Sequence, residues 1–163
     1  MRFTLIDRIL ALQPGRSITA RKNLSLAEEY LADHFPGFPV MPGVLMLEAM
    51  TQTGAWLVRA TDDFAHSIVT LREARNVKYG NFVEPGQTLN VEVEWVKATD
   101  DEVHLKGQGD VDGVSTVSAR LVLERYNLAD RDPTKAEADA IVVQHLRELF
   151  AQLKAGGELA AGE

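Results

Sequence analysis

The stretch from His34 to Trp56 constrains this chain more than any other. Its first part, from His34 to Gly43, holds three prolines (Pro36, Pro39, Pro42) and two glycines (Gly37, Gly43). Each proline fixes its own φ and pushes the preceding residue out of the α region. Few conformations remain open to such a loop, and it can hold a side chain in place without a ladder of hydrogen bonds. The character then changes. Pro42 stands where a first helical residue belongs. The turns beyond it are apolar on nearly every side: Val44, Leu45, Met46, Leu47, Ala49, Met50, Ala55, Trp56, Leu57 and Val58. A helix of that kind is wrapped by its own domain.

Glu48 conflicts with that burial. One reading places it close enough to the helix N-terminus to take the dipole and reach solvent. The other has it facing an apolar cavity, where a carboxyl group exchanges protons near neutral pH. Gln52 lies one turn further along the same face, so its amide is placed to orient the carboxylate. His34 opens the stiff loop. A lone histidine is ordinarily structural, but a proline-clamped imidazole titrating near neutrality also suits a base. A histidine base and a glutamic acid suffice to take a proton from one carbon and give one to a departing hydroxyl. The Gly43 N–H, in the first helical turn, is a candidate to polarise a carbonyl.

The run His34-Phe-Pro-Gly-Phe-Pro-Val-Met-Pro-Gly43-Val-Leu-Met-Leu-Glu48-Ala-Met-Thr-Gln52 closely resembles the signature of the FabZ-type 3-hydroxyacyl-[acyl-carrier-protein] dehydratases. The resemblance implies a hot-dog fold and dehydration of a (3R)-3-hydroxyacyl thioester to the trans-2-enoyl thioester in fatty acid biosynthesis. It implies His34 as base, Glu48 as acid and the Gly43 N–H as the thioester carbonyl's partner. It also implies a homodimer, with a trimer of dimers as a further possibility, and sites built across the dimer interface. Glu rather than Asp at position 48 resembles the branch that dehydrates without isomerising. Met46, Met50 and Trp56 are candidate liners of an acyl tunnel, each with plain core as its alternative. No cofactor or metal is implied.

Composition fits one domain in 163 residues, 45% of them apolar. With no cysteine, there is no disulfide, thiolate nucleophile or cysteine metal site, which suits a cytoplasmic protein. His34, His66, His104 and His145 are too scattered for a structural metal. A net charge of -7 argues against nucleic acid as partner, and no apolar run suffices to span a bilayer. The implied partner, acyl carrier protein, is acidic and needs a local basic patch. Candidates are Arg72, Arg75 and Lys78, or Arg16, Arg21 and Lys22, unless these are simply solvated. Gly80 and Asn81 depart from the family pattern, which often has Lys or Arg there. Coenzyme A thioesters are an alternative carrier.

Strands are expected over 2–12, 17–24, 67–71, 89–98, 103–111 and 114–125, with 76–83 as a separate extended stretch and one or two helical turns over 26–32. Val91, Val93 and Trp95 alternate with Glu92 and Glu94, giving a sheet with one dry face. Strands, one buried helix and a meander imply an α+β domain over 1–126, an antiparallel sheet wrapped around a long central helix. Residues 127–163 form an extension outside the resemblance. In it Asp132-Pro133 starts an added C-terminal helix with Val142, Leu146, Leu149, Phe150 and Leu153 on one stripe. Ala155-Gly-Gly157 ends it, and 158–163 is expected to be a frayed tail. Two other functions suit the same elements: an acyl-thioesterase, since fold does not fix function, and a non-catalytic acyl-thioester-binding partner subunit.

Overall fold

The computed structural model describes residues 3–155. The tail expected over 158–163 lies outside these, as do Gly156 and Gly157. Among the described residues six strands form one antiparallel sheet: β1 (Arg8–Gln13), β2 (Ser17–Asn23), β3 (Ile68–Tyr79), β4 (Thr88–Ala98), β5 (Glu102–Val111) and β6 (Val114–Tyr126). Their order across the sheet is β1-β2-β4-β5-β6-β3, so β3 is an edge strand. The helix α1 (Gly43–Thr61) lies in the curl of this sheet, and a second helix, α2 (Ala136–Lys154), packs outside it. This is the hot-dog arrangement that the resemblance implies.

The depth of α1 in the sheet follows from missing side chains. A Cβ at Gly54 on α1 would sit 2.7 Å from Leu105 Cδ1, and one at Gly107 on β5 would sit 2.3 Å from Met50 Sδ. Met50, Leu57 and Val58 on α1 are fully buried, as are Val91, Val93, Leu105 and Leu123 on the sheet. Packing at that density leaves no room for an added methyl group.

Three elements differ from expectation. The first strand begins at Arg8 rather than near residue 2. Phe3 and Leu5 lie outside any strand, and the Phe3 carbonyl and Leu5 N–H bond to the Gln52 side chain. The expected break between 71 and 76 is absent, because β3 runs unbroken through it. Register shifts at 71/73 and 75/78, with Asn76 at φ 52°, absorb the irregularity as bulges. Beyond β3 the chain leaves the sheet at Gly80, whose N–H donates to the Thr116 carbonyl. A Cβ at Gly80 would lie 2.9 Å from the Ser115 carbonyl oxygen, so a Lys or Arg there would strike backbone. At the other changed end, Asp132 caps a 3-10 turn (Pro133–Lys135) through Thr134 N–H, and α2 starts after it.

Contacts near both of its ends hold α2. At its start, the buried carboxylate of Asp139 accepts the Leu128 and Ala129 N–H groups, each at 2.9 Å, and the Ser67 hydroxyl. Further along, the Phe150 ring stacks on Trp56 of α1, with centroids 5.7 Å apart, and meets Phe64 edge-on. Burial raises the Asp139 carboxyl, but its three donors more than reverse this, so it stays below the usual aspartate value. A depressed folded-state value means stability that is present above the unfolded value of ~3.9 and lost as pH falls through the folded one. We expect Asp139→Asn to remove part of the stability near neutral pH and to flatten its decline between about pH 5 and 2. Urea midpoints measured across that window check this.

Candidate active site

His34 sits in a backbone that is bent sharply straight after it. Phe35 has φ 58°, unusual for an aromatic residue, and its carbonyl accepts the Phe38 N–H at 2.8 Å. The loop then runs into the core at Val40 and Met41, both buried, where the Met41 N–H donates to the Val83 carbonyl. Half-buried His34 is tied to that anchored end: its Nδ1 is 2.9 Å from the Val40 carbonyl oxygen. A carbonyl only accepts, so Nδ1 carries the proton and Nε2 of the neutral ring keeps a free lone pair.

Pro42 turns out to be the N-cap, with Gly43 as the first residue of α1. The Pro42 carbonyl accepts from Leu45 and Met46, while the Gly43 N–H has no carbonyl to reach within the helix. Glycine fits here by proximity, since a Cβ would sit 3.0 Å from the exposed Tyr79 ring, which would have to give way by a few tenths of an ångström. His34, Gly43, Met46, Tyr79 and Phe82 together line a cleft of about 440 Å³. Its rim is apolar and exposed: Phe35, Val44, Tyr79 and Phe82 are each about half or more accessible.

Glu48 lines a different cleft of about 290 Å³. Half-buried, its Oε1 accepts from Gln52 Nε2 at 3.0 Å. The same amide group also reaches the N-terminal segment, donating to the Phe3 carbonyl and accepting the Leu5 N–H at 2.9 Å. Gln52 is thereby fixed by chain 47 residues away, and it fixes the carboxylate in turn. Trp56 lines this cleft too, with Leu149 from α2 closing over it.

One chain therefore does not bring all the sequence-derived candidates together. Gly43 and Glu48 are five positions apart on α1, about 140° around the helix at 3.6 residues per turn. His34 with Gly43 occupies one side and Glu48 with Gln52 another. Met50 lines neither cleft: it points toward the sheet and is closed in by Gly107. The basic candidates also thin out. Lys22 is buried against Glu28, Arg72 pairs with Glu102 and Arg75 with Glu73, whereas Lys78, Arg16 and Arg21 are exposed. One liner escaped the sequence reading altogether. Arg59 lies in the Glu48 cleft, with its guanidinium carbon 5.1 Å from the Trp56 ring centroid. Its signal was available: positions 48, 52, 56 and 59 follow one helical stripe.

A family model described as a FabA-like domain matches residues 1–120. Among curated relatives, the 3-hydroxyacyl-[acyl-carrier-protein] dehydratase FabZ of Latilactobacillus sakei is 40% identical over 117 residues, covering 72% of this chain and 84% of that protein. The FabZ of Janthinobacterium sp. is 38% identical over 138 residues, covering 82% and 87%. Among solved structures, the dehydratase heterocomplex ApeI:P from Xenorhabdus doucetiae superposes with a TM-score of 0.65 at 16% identity, covering 82% of this chain and 90% of that one. The likeness extends to PH1136 from Pyrococcus horikoshii, with a TM-score of 0.60 at 9% identity, covering 76% and 85%. The chain belongs to the FabA-like family and, within it, to the FabZ-type dehydratases.

The three bonds made by the Gln52 amide carry a direct test. Gln52→Leu leaves the Leu5 N–H and the Phe3 carbonyl without their partner, at a cost of about 1–2 kcal/mol. Urea unfolding of the variant should move by that amount, with Leu5 amide exchange accelerated.

Proposed function

We propose that this chain removes water from a (3R)-3-hydroxyacyl thioester borne by acyl carrier protein, giving the trans-2-enoyl thioester in fatty acid biosynthesis. The relatives named above carry that activity in their names. The observation that carries the reading for this chain is the hydrogen bonding of its acid and base. His34 keeps one free lone pair at Nε2, and Glu48 is held by Gln52 in a half-buried cleft.

The thioester acidifies the proton on C2. His34 Nε2 takes that proton, and the Gly43 N–H donates to the carbonyl oxygen as enolate charge develops there. Glu48, protonated, gives its proton to the hydroxyl on C3. The C3–O bond breaks, the C2=C3 bond forms and water departs. The proton on His34 then returns to Glu48, by way of solvent, before the next turnover.

The separation of these groups around α1 favours a site completed by a second copy. We read the chain as a homodimer formed along the outer edge of β3, with one protomer's His34 cleft meeting its partner's Glu48 cleft. Three features support this. The β3 edge is unpaired among the described residues, the rim of the His34 cleft is exposed and apolar, and residues 69–71 of β3 line the Glu48 cleft. A twofold interface of this kind makes two equivalent sites. Acyl carrier protein would approach beside Lys78, which is exposed next to Tyr79 at the mouth of the His34 cleft. No described helix is long and apolar enough to cross a membrane, and we place the protein in the cytoplasm, where the carrier is found.

Two variants test the reading together. His34→Ala and Glu48→Gln should each lower kcat for dehydration by about 10²–10⁴ while leaving the fold intact. Mixed after unfolding and refolded together, the two inactive chains should regain roughly a quarter of the wild-type sites, because half the dimers then hold one complete site. Unchanged rates in either variant would remove that residue from the chemistry. A mixture as inactive as its parts would place both residues in one chain's site.

A further inference from the structure

The Glu48 cleft has an unusual far end. It follows α1 from Glu48 past Gln52, Ala55 and Trp56 to Arg59, eleven positions on, or about 16 Å along the axis at 1.5 Å per residue. That is the reach of a medium-length acyl chain, at about 1.5 Å per carbon–carbon bond less the zigzag. An alkyl chain calls for an apolar end wall, yet a guanidinium lines this one.

No acidic group of the described residues is joined to that guanidinium. Its Nε is shut away from solvent and has no hydrogen-bond partner. The nearest acids in the sequence are engaged elsewhere. Both Asp62 oxygens take Arg125 Nη1, at 2.8 and 2.7 Å, and Asp63 takes Arg147. Glu48 lies at the opposite end, bonded to Gln52. What Arg59 does have is the face of Trp56, whose ring also stacks with Phe150. Burial pushes the guanidinium down to about 10, so at neutral pH it is still charged, with no anion among the described residues to offset its partial burial. A flat, fixed guanidinium is suited to take a carboxylate through paired N–H bonds.

We propose that the Glu48 cleft takes acyl chains whose far end carries a carboxylate, with Arg59 as the specificity-determining residue that receives it. The inference rests on the dehydratase reading for which chain enters the cleft, but not for whether Arg59 binds an anion there.

Turnover supplies the first test. Two 3-hydroxyacyl carrier-protein substrates of equal length are compared, one ending in a methyl group and one in a carboxylate. Wild type should prefer the carboxylate by tenfold or more in kcat/KM. Arg59→Leu should abolish or reverse that preference, while Arg59→Lys, which keeps the charge, should retain part of it. Wild-type preference for the methyl-ended chain, or equal slowing of both substrates by Arg59→Leu, would overturn the inference and leave the dehydratase reading standing. Binding supplies the second test and needs no turnover. Decanoate should raise the Tm of the wild-type chain more than decan-1-ol does, and the difference should vanish in Arg59→Leu. Equal shifts from the two probes in wild type, or a difference that persists in the variant, would overturn it even if no thioester were dehydrated. Should Arg59→Leu fail to fold, the wild-type preference and the Arg59→Lys variant decide.

Discussion

A helix can sink into a sheet only as far as the side chains between them allow. In this protein the decisive atoms are absent ones, at Gly54 on the helix and Gly107 on the sheet. Leu105 and Met50 fill the space those residues leave, so α1 is buried on its sheet-facing side. Dispersion contacts at that density are individually small and collectively large. They also fix the rotation of the helix about its own axis. The placements of Gly43, Glu48, Gln52, Trp56 and Arg59 inherit that rotation, because all five belong to the one element.

The proposed acid and the proposed base are held in different ways. His34 comes from a loop, and it depends on backbone: a left-handed residue beside it and a carbonyl that settles its tautomer. Glu48 comes from the helix, and it depends on a neighbouring amide that is itself clasped by the N-terminal segment. Each group is oriented before any ligand arrives, which is where much of a catalyst's advantage originates. The two arrangements are independent, so a defect in one need not disturb the other.

What the sequence made legible was local. Proline spacing disclosed the stiff loop, apolar continuity disclosed α1, and alternation disclosed the meander from β4 to β6. The expected bond between Gln52 and Glu48 was legible too, since it spans a single helical turn. What escaped was settled by distant partners. The segment at Phe3 and Leu5 looks like strand from its own residues, yet the Leu5 N–H is satisfied by a side chain 47 positions on. The continuity of β3 depends on bulges against β6 that its own residues do not announce. Met50 and Met46 are four positions apart on the helix, and nothing short of the sheet's position decides that Met46 meets a cleft while Met50 meets Gly107. Arg59 was legible as a member of the stripe through 48, 52 and 56, but not as an unusual one. A single cation near a helix C-terminus is commonplace, and the engagement of its acidic neighbours by Arg125 and Arg147 makes it stand out.

The second helix lies beyond the residues that the family model matches, yet Leu149 walls the Glu48 cleft and Phe150 backs its tryptophan. On the proposed reading, substrate breadth is written partly outside the residues that the family model matches. A terminal appendix of this kind is a separable dial: grafted, shortened or repacked, it would retune which molecules are admitted and leave the bond-breaking machinery as it was.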